Sequence, residues 1–94
     1  MSGDAFRQQG YALVDWISDY LANPERFPVL PRVAPGDVTR ALPPGAPEQG
    51  ETFDQILTDF ERVLVPALTH WNHPGFFAYF ASSGSAPGVL AEFL

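Results

Sequence analysis

A mainly α-helical chain is predicted by two apolar stripes that recur every three to four residues and by a capping motif, "TFDQ", at residues 52–55. A third observation sets the architecture: seven of the ten prolines fall between residues 24 and 50. The expected fold is three helices, with a long proline-rich extended connector between the first and the second.

The first helix is expected from about Gly3 to Ala22. Phe6, Leu13, Ile17, Tyr20 and Leu21 form its apolar stripe, flanked by Val14 and Trp16, while Arg7, Gln8, Asp15 and Asp19 fall mainly off it. Ser2 or Asp4 can cap its start, and Asp4 suits the positive end of the helix dipole. Asn23-Pro24 stops it, because a residue before proline is pushed out of the α region.

Residues 24–50 read as polyproline-like backbone with few internal hydrogen bonds. Phe27, Val29, Leu30, Val33, Val38 and Leu42 are interleaved through the segment. A solvated linker has no need of them, so an extended strap laid over another surface is expected. The second helix begins at Thr52, with Gln55 completing a capping box. Phe53, Ile56, Leu57, Phe60 and Leu64 make its stripe, and Pro66 ends or kinks it. The third helical segment, "SAPGVLAEFL" at 85–94, has Ser85 as a cap and Pro87 in a tolerated first-turn position. It is apolar on most faces, with Glu92 its one charge, and needs more burial than this chain supplies. The chain is therefore expected to be cut from a larger protein.

Composition narrows the function. The 94 residues allow at most one small domain, and 46% hydrophobic content is too high for a disordered chain. A net charge of −6, with five scattered arginines and no lysine, argues against nucleic acid as a partner. No run reaches the length of a membrane span, and the polar opening "MSGDAFRQQG" lacks the profile of a secretory signal, so a cytoplasmic protein without a membrane partner is expected. Absence of cysteine excludes disulfides and thiolate zinc sites.

The candidate chemistry gathers in "THWNHPGFFAYF", residues 69–80. His70 and His73 have a metal-pair spacing, but Pro74 and Gly75 oppose a helix there and no third ligand accompanies them. Hydrogen-bonded structural or pocket histidines are expected, and no metal. "SSGSAPG" at 82–88 lacks the lysine and spacing of a phosphate loop, so a plain loop with a capping serine is the better reading. The rings of 69–80 have two readings that elementary physics leaves level: a plug in the domain's own core, or one wall of a pocket for a flat ligand.

"THWNHPGFFAYF" followed by "SAPGVLAEFL" resembles the signature near the N-terminus of the group II pyridoxal-phosphate-dependent amino-acid decarboxylases, most of all the aromatic-L-amino-acid decarboxylase branch. "FRQQGYALVDWISDYL", "FPVLPRVAPGDV", "LPPGAPEQGETFDQIL" and "VLVPALTHW" agree in the same order, so nearly the whole chain is covered. The resemblance implies a homodimeric enzyme of fold type I, the aspartate-aminotransferase type. Residues 1–84 would be its N-terminal helical arm, with the strap at 24–50 and a substrate-facing aromatic loop at 69–84. Residues 85–94 would begin the helix leading into the large cofactor domain.

The implied reaction removes the α-carboxylate of an aromatic L-amino acid to give an arylalkylamine, with the cofactor ring accepting the electron pair that carbon dioxide leaves behind. By the same resemblance Trp71, Tyr79 and Phe80 line the substrate side-chain pocket, and Ser82 keeps the hydroxyl that relatives carry as threonine. Ala81 stands where a proline is common. No catalytic residue falls in this segment: the lysine, the aspartate facing the pyridine nitrogen and the catalytic histidine of the family all lie downstream, as does the seat of pyridoxal 5'-phosphate. Two alternatives remain, a non-catalytic helical dimerisation module and an aldehyde synthase of the same family.

Overall fold

The computed structural model describes residues 1–79 and 84–94. It is mainly helical, with no strand among the described residues. The elements are α1 (Gly3–Ala22), a 3-10 turn (Pro24–Arg26), α2 (Asp37–Ala41), α3 (Phe53–Asp59), a π-helical turn (Phe60–Leu64), a second 3-10 turn (Val65–Ala67) and α4 (Ala86–Glu92). The chain divides into two units, one made of residues 1–29 with 70–94 and the other of residues 30–69.

In the first unit, α1 starts where Ser2 turns its hydroxyl back to accept from the Ala5 amide at 3.1 Å, so serine rather than Asp4 supplies the capping oxygen. The helix closes at Asn23, whose amide donates to the Asp19 carbonyl at 3.1 Å and whose side chain donates to the Asp19 carboxylate at the same distance. Pro24, lacking an N–H, opens the 3-10 turn without losing a bond. Arg26 pairs with Asp19 and lays its guanidinium over the Phe27 ring, 4.8 Å from the centroid. This folds the end of α1 against the residues that follow it. Ser85 caps α4 by accepting from the Gly88 amide at 3.2 Å. Val14, Ile17, Leu21 and Ala22 of α1 line an apolar groove of about 460 Å³ together with Val89, Leu90 and Phe93 of the α4 region.

The second unit departs from a uniformly extended connector. Gly36 takes a left-handed conformation, φ +90°, and the Asp37 carboxylate accepts from the Ala34 amide at 2.7 Å. That turn launches α2 across residues 37–41, the longest proline-free run of the segment up to Leu42. Without proline, the amides of Arg40 and Leu42 bond back to Gly36 and Val38. The sequence signal was present as Pro-Gly-Asp, a turn followed by a dipole-compatible acid, and proline density masked it.

α3 opens with both halves of the expected capping box: Gln55 N–H donates to the Thr52 hydroxyl at 3.3 Å, and Thr52 N–H donates to Gln55 Oε1 at 3.0 Å. The helix does not end cleanly at Pro66. It widens first, with the Val65 amide reaching the Phe60 carbonyl, then tightens into the 3-10 turn. Proline removes an amide and crowds the carbonyl four residues back, and a π turn relieves both. Val65, 4% exposed, is the buried apolar side chain at this junction, whereas Ile56 of the expected stripe is half open to solvent.

Candidate functional site

The aromatic segment belongs to the first unit, and its residues divide sharply. His70 is 1% exposed. Its amide donates to the Val29 carbonyl at 3.2 Å, and its Nδ1 shares a hydrogen bond of 2.9 Å with the Tyr20 hydroxyl, fifty positions earlier. Its ring stacks on Phe27, with centroids 4.6 Å apart and planes 14° from parallel, and is tilted against Tyr20 at 5.8 Å. Tyr20 in turn stacks on Trp16 at 5.4 Å. Burial pushes the Tyr20 hydroxyl above its ordinary pKa, which keeps the phenol protonated.

Beyond His70 the chain turns twice. The His73 amide donates to the His70 carbonyl at 3.0 Å and the Phe76 amide to the His73 carbonyl at 3.0 Å. The His73 ring closes the second turn by accepting the Gly75 amide on Nδ1 at 2.8 Å. Gly75 is needed there: a Cβ would sit 3.1 Å from His73 Nδ1 and 3.3 Å from Val29 Cγ2. Both histidines thus have their Nδ1 atoms engaged within the fold, in different surroundings. No cluster of three His, Cys, Asp or Glu with metal-ligand placement occurs among the described residues.

These turns bring Trp71, Phe76 and Tyr79 together. Trp71 and Phe76 stack at 5.7 Å, Trp71 and Tyr79 lie 6.2 Å apart, and Phe76 and Tyr79 lie 6.4 Å apart. Unlike His70, this cluster stays open: Trp71 is 50% and Tyr79 83% exposed. Tyr79 also holds φ +60°, a left-handed conformation that costs a residue with a Cβ roughly 1–2 kcal/mol. Such backbone is kept where the surroundings impose it, and functional loops are where it concentrates. The arrangement leaves ring surface of Trp71 and Tyr79 open, with one phenol hydroxyl.

Of the residues singled out from the sequence, Trp71 and Tyr79 are brought together; Phe80 and Ser82 lie outside the described residues. Phe76 was not singled out, although its ring completes the cluster. The holders of His70, Tyr20 and Phe27, also went unmarked. Tyr20 looked like one more member of a helical stripe, and no local pattern pairs it with a residue fifty positions away.

Comparison with known proteins identifies the family. Residues 35–94 match the family described as "Pyridoxal-dependent decarboxylase conserved domain". Phenylacetaldehyde synthase of Rosa hybrid cultivar is 46% identical over 91 residues, and tyrosine decarboxylase of Papaver somniferum 45% over 91 residues; each alignment covers 97% of this chain and 18% of the relative. The crystal structure of Oryza sativa TDC with PLP superposes with a TM-score of 0.90 at 35% identity, over 99% of this chain and 20% of that one. The chain thus spans about a fifth of the length of the relatives it matches.

A pyridoxal group needs a lysine amine to carry it and donors for its phosphate. This chain has no lysine, and three of its five arginines are paired with aspartates: Arg26 with Asp19, Arg40 with Asp37, and Arg62 with Asp59. The chain therefore holds no lysine amine to carry the group. On the family match and on relatives at this identity, the chain belongs to the pyridoxal-dependent decarboxylases.

Proposed function

We propose that this chain is the N-terminal part of a pyridoxal-phosphate-dependent carboxy-lyase acting on aromatic L-amino acids, and that it supplies one wall of the substrate pocket. The observation that carries the reading is the cluster in which exposed Trp71 and Tyr79 pack with half-buried Phe76, set on a loop that His70 anchors. Exposed rings are costly to leave in water and well suited to stack on an indole or phenol. The family resemblance extends the same substrate-facing role to Phe80 and Ser82, the serine offering a hydroxyl to the substrate. Lysine, catalytic histidine and cofactor seat then belong to the large domain that residues 85–94 lead into, with residues 1–84 as the arm.

The same arm supplies contacts in a homodimer. Large apolar side chains left open, among them Phe6, Tyr11, Phe77 and Leu90, are compatible with that reading, since a second subunit, like the rest of the protein, can cover them. The enzyme is expected to work in the cytoplasm. Carbon dioxide release from L-tryptophan, L-DOPA, L-tyrosine and L-phenylalanine by the full-length protein with its cofactor tests the activity. Turnover of none of the four sinks it and leaves the dimerisation module as the reading. A monomer on sedimentation of the full-length protein would remove the dimer.

A second reading has its own support: a relative named phenylacetaldehyde synthase is 46% identical, and the Rhodiola rosea 4-hydroxyphenylacetaldehyde synthase structure superposes with a TM-score of 0.89 at 42% identity. In that case the product is an aldehyde rather than an amine. Chromatography of the products, with an ammonia assay, separates the two: amine without ammonia means decarboxylase.

A further inference from the structure

His70 is fully buried, and it immediately precedes Trp71. Its amide, ring nitrogen, ring face and carbonyl each have a partner: Val29, Tyr20, Phe27 and the His73 amide. The first three lie at or beyond the end of α1, and the fourth starts the turn that carries the open rings. The holders are themselves held. Tyr20 stacks on Trp16 with planes 8° apart, and Phe27 is covered by Arg26, which Asp19 pairs. A column of rings therefore runs from α1 to His70, and the direction of the backbone entering Trp71 is set at its end.

We infer that Tyr20 and His70 act as positioning residues for the aromatic wall, their mutual hydrogen bond fixing the angle at which Trp71 and its neighbours meet a substrate ring. This inference rests on the pocket-wall reading above. A part-buried bond of this kind restricts the rotamers of both rings, and a backbone anchored on one side only would let the Trp71 indole swing relative to Phe76 and Tyr79. The wall would keep its chemistry and lose its fixed shape. Ring discrimination, which depends on shape, is where the loss would register.

The test uses the full-length holoenzyme, with rates taken per mole of bound cofactor. Tyr20→Phe removes only the hydroxyl, and His70→Phe keeps a ring against Phe27 while removing its nitrogen. Each is expected to raise KM for L-tryptophan by about three- to tenfold, the worth of one part-buried hydrogen bond, with kcat close to that of the parent. The ratio of kcat/KM for L-tryptophan over L-tyrosine is expected to change. The double variant should resemble either single one, because both remove the same bond. A merely structural role would lower both substrates alike and leave their ratio intact, and that result overturns the inference. So do unchanged KM values in both single variants, or effects that add in the double one. Trp71→Ala and Tyr79→Ala separate this from the reading beneath it. If they leave KM unchanged, the pocket wall itself fails and the positioning role falls with it. If they raise KM while Tyr20→Phe and His70→Phe do not, only the positioning role is overturned.

Discussion

His70 and Trp71 are consecutive, both are aromatic, and they have opposite fates. His70 is enclosed by Tyr20, Phe27 and the Val29 carbonyl, whereas half of the Trp71 surface is open. Polarity does not explain the division, since the more polar ring is the buried one. What decides it is the supply of partners. A buried imidazole needs its nitrogens answered, and the Tyr20 hydroxyl answers one. The indole of Trp71 packs with Phe76 and Tyr79, themselves on the same loop. A segment that is one composition in sequence is two devices in structure, an anchor and a platform.

Removing the anchor should have the largest effect on stability. His70→Ala deletes a stacked ring and leaves the Tyr20 hydroxyl without its partner, so the full-length protein should lose about 2–4 kcal/mol by urea denaturation. A loss well under that would mean that the anchor is less buried in the whole protein than here. Removing the platform should do the reverse. Trp71→Ala is expected to lower kcat/KM for aromatic substrates by about 10- to 100-fold while shifting stability by less than about 1 kcal/mol. A variant that unfolds before it loses activity would blur the two devices into one.

Tyr79→Asn sharpens the comparison further. Asparagine tolerates the left-handed backbone at φ +60°, so stability should hold or rise by about 0.5–1 kcal/mol on thermal melting while substrate KM increases. In the second unit, Thr52→Ala dismantles the capping box of α3. It should cost about 1 kcal/mol and leave substrate preference untouched, which sets a baseline for a local change outside the ring system.

The smallest effect is one of pH. Burial raises the Tyr20 pKa above its ordinary 10.0, so the folded chain holds that proton more tightly than the unfolded chain does. The corresponding stability is fully present below the unfolded pKa and is lost as pH rises through the folded one. Denaturation midpoints should fall on going from neutral pH to beyond about 10, and Tyr20→Phe should flatten that decline. An equal decline in the variant would assign it to other groups.

Helix starts were legible because each rests on residues at most four apart. Ser2, Thr52 and Ser85 cap as their positions suggest, and Asn23-Pro24 ends α1. Pro66 disturbs its helix as expected, although the detour through a π turn reflects a compromise between the apolar stripe and a missing amide that sequence does not weigh. α2 escaped notice because proline density outweighed a local turn signal at Gly36-Asp37. At the site, Trp71 and Tyr79 were legible as rings on a turn-rich loop, but their company was not. Phe76 joins them through the turns at His73 and Gly75, and the open or closed state of each ring depends on what arrives from elsewhere in the chain.

By itself the sequence determined the helical class, the caps, the family and the collection of aromatic residues at 69–80, since all of these are local or are carried by motif. Which of those rings would be enclosed and which left open lay beyond it. Tertiary structure decided that, by bringing the Tyr20 hydroxyl within 2.9 Å of His70 while Trp71 stays half exposed. Burial belongs to a side chain together with its partners, and partners fifty positions apart meet only once the chain has folded.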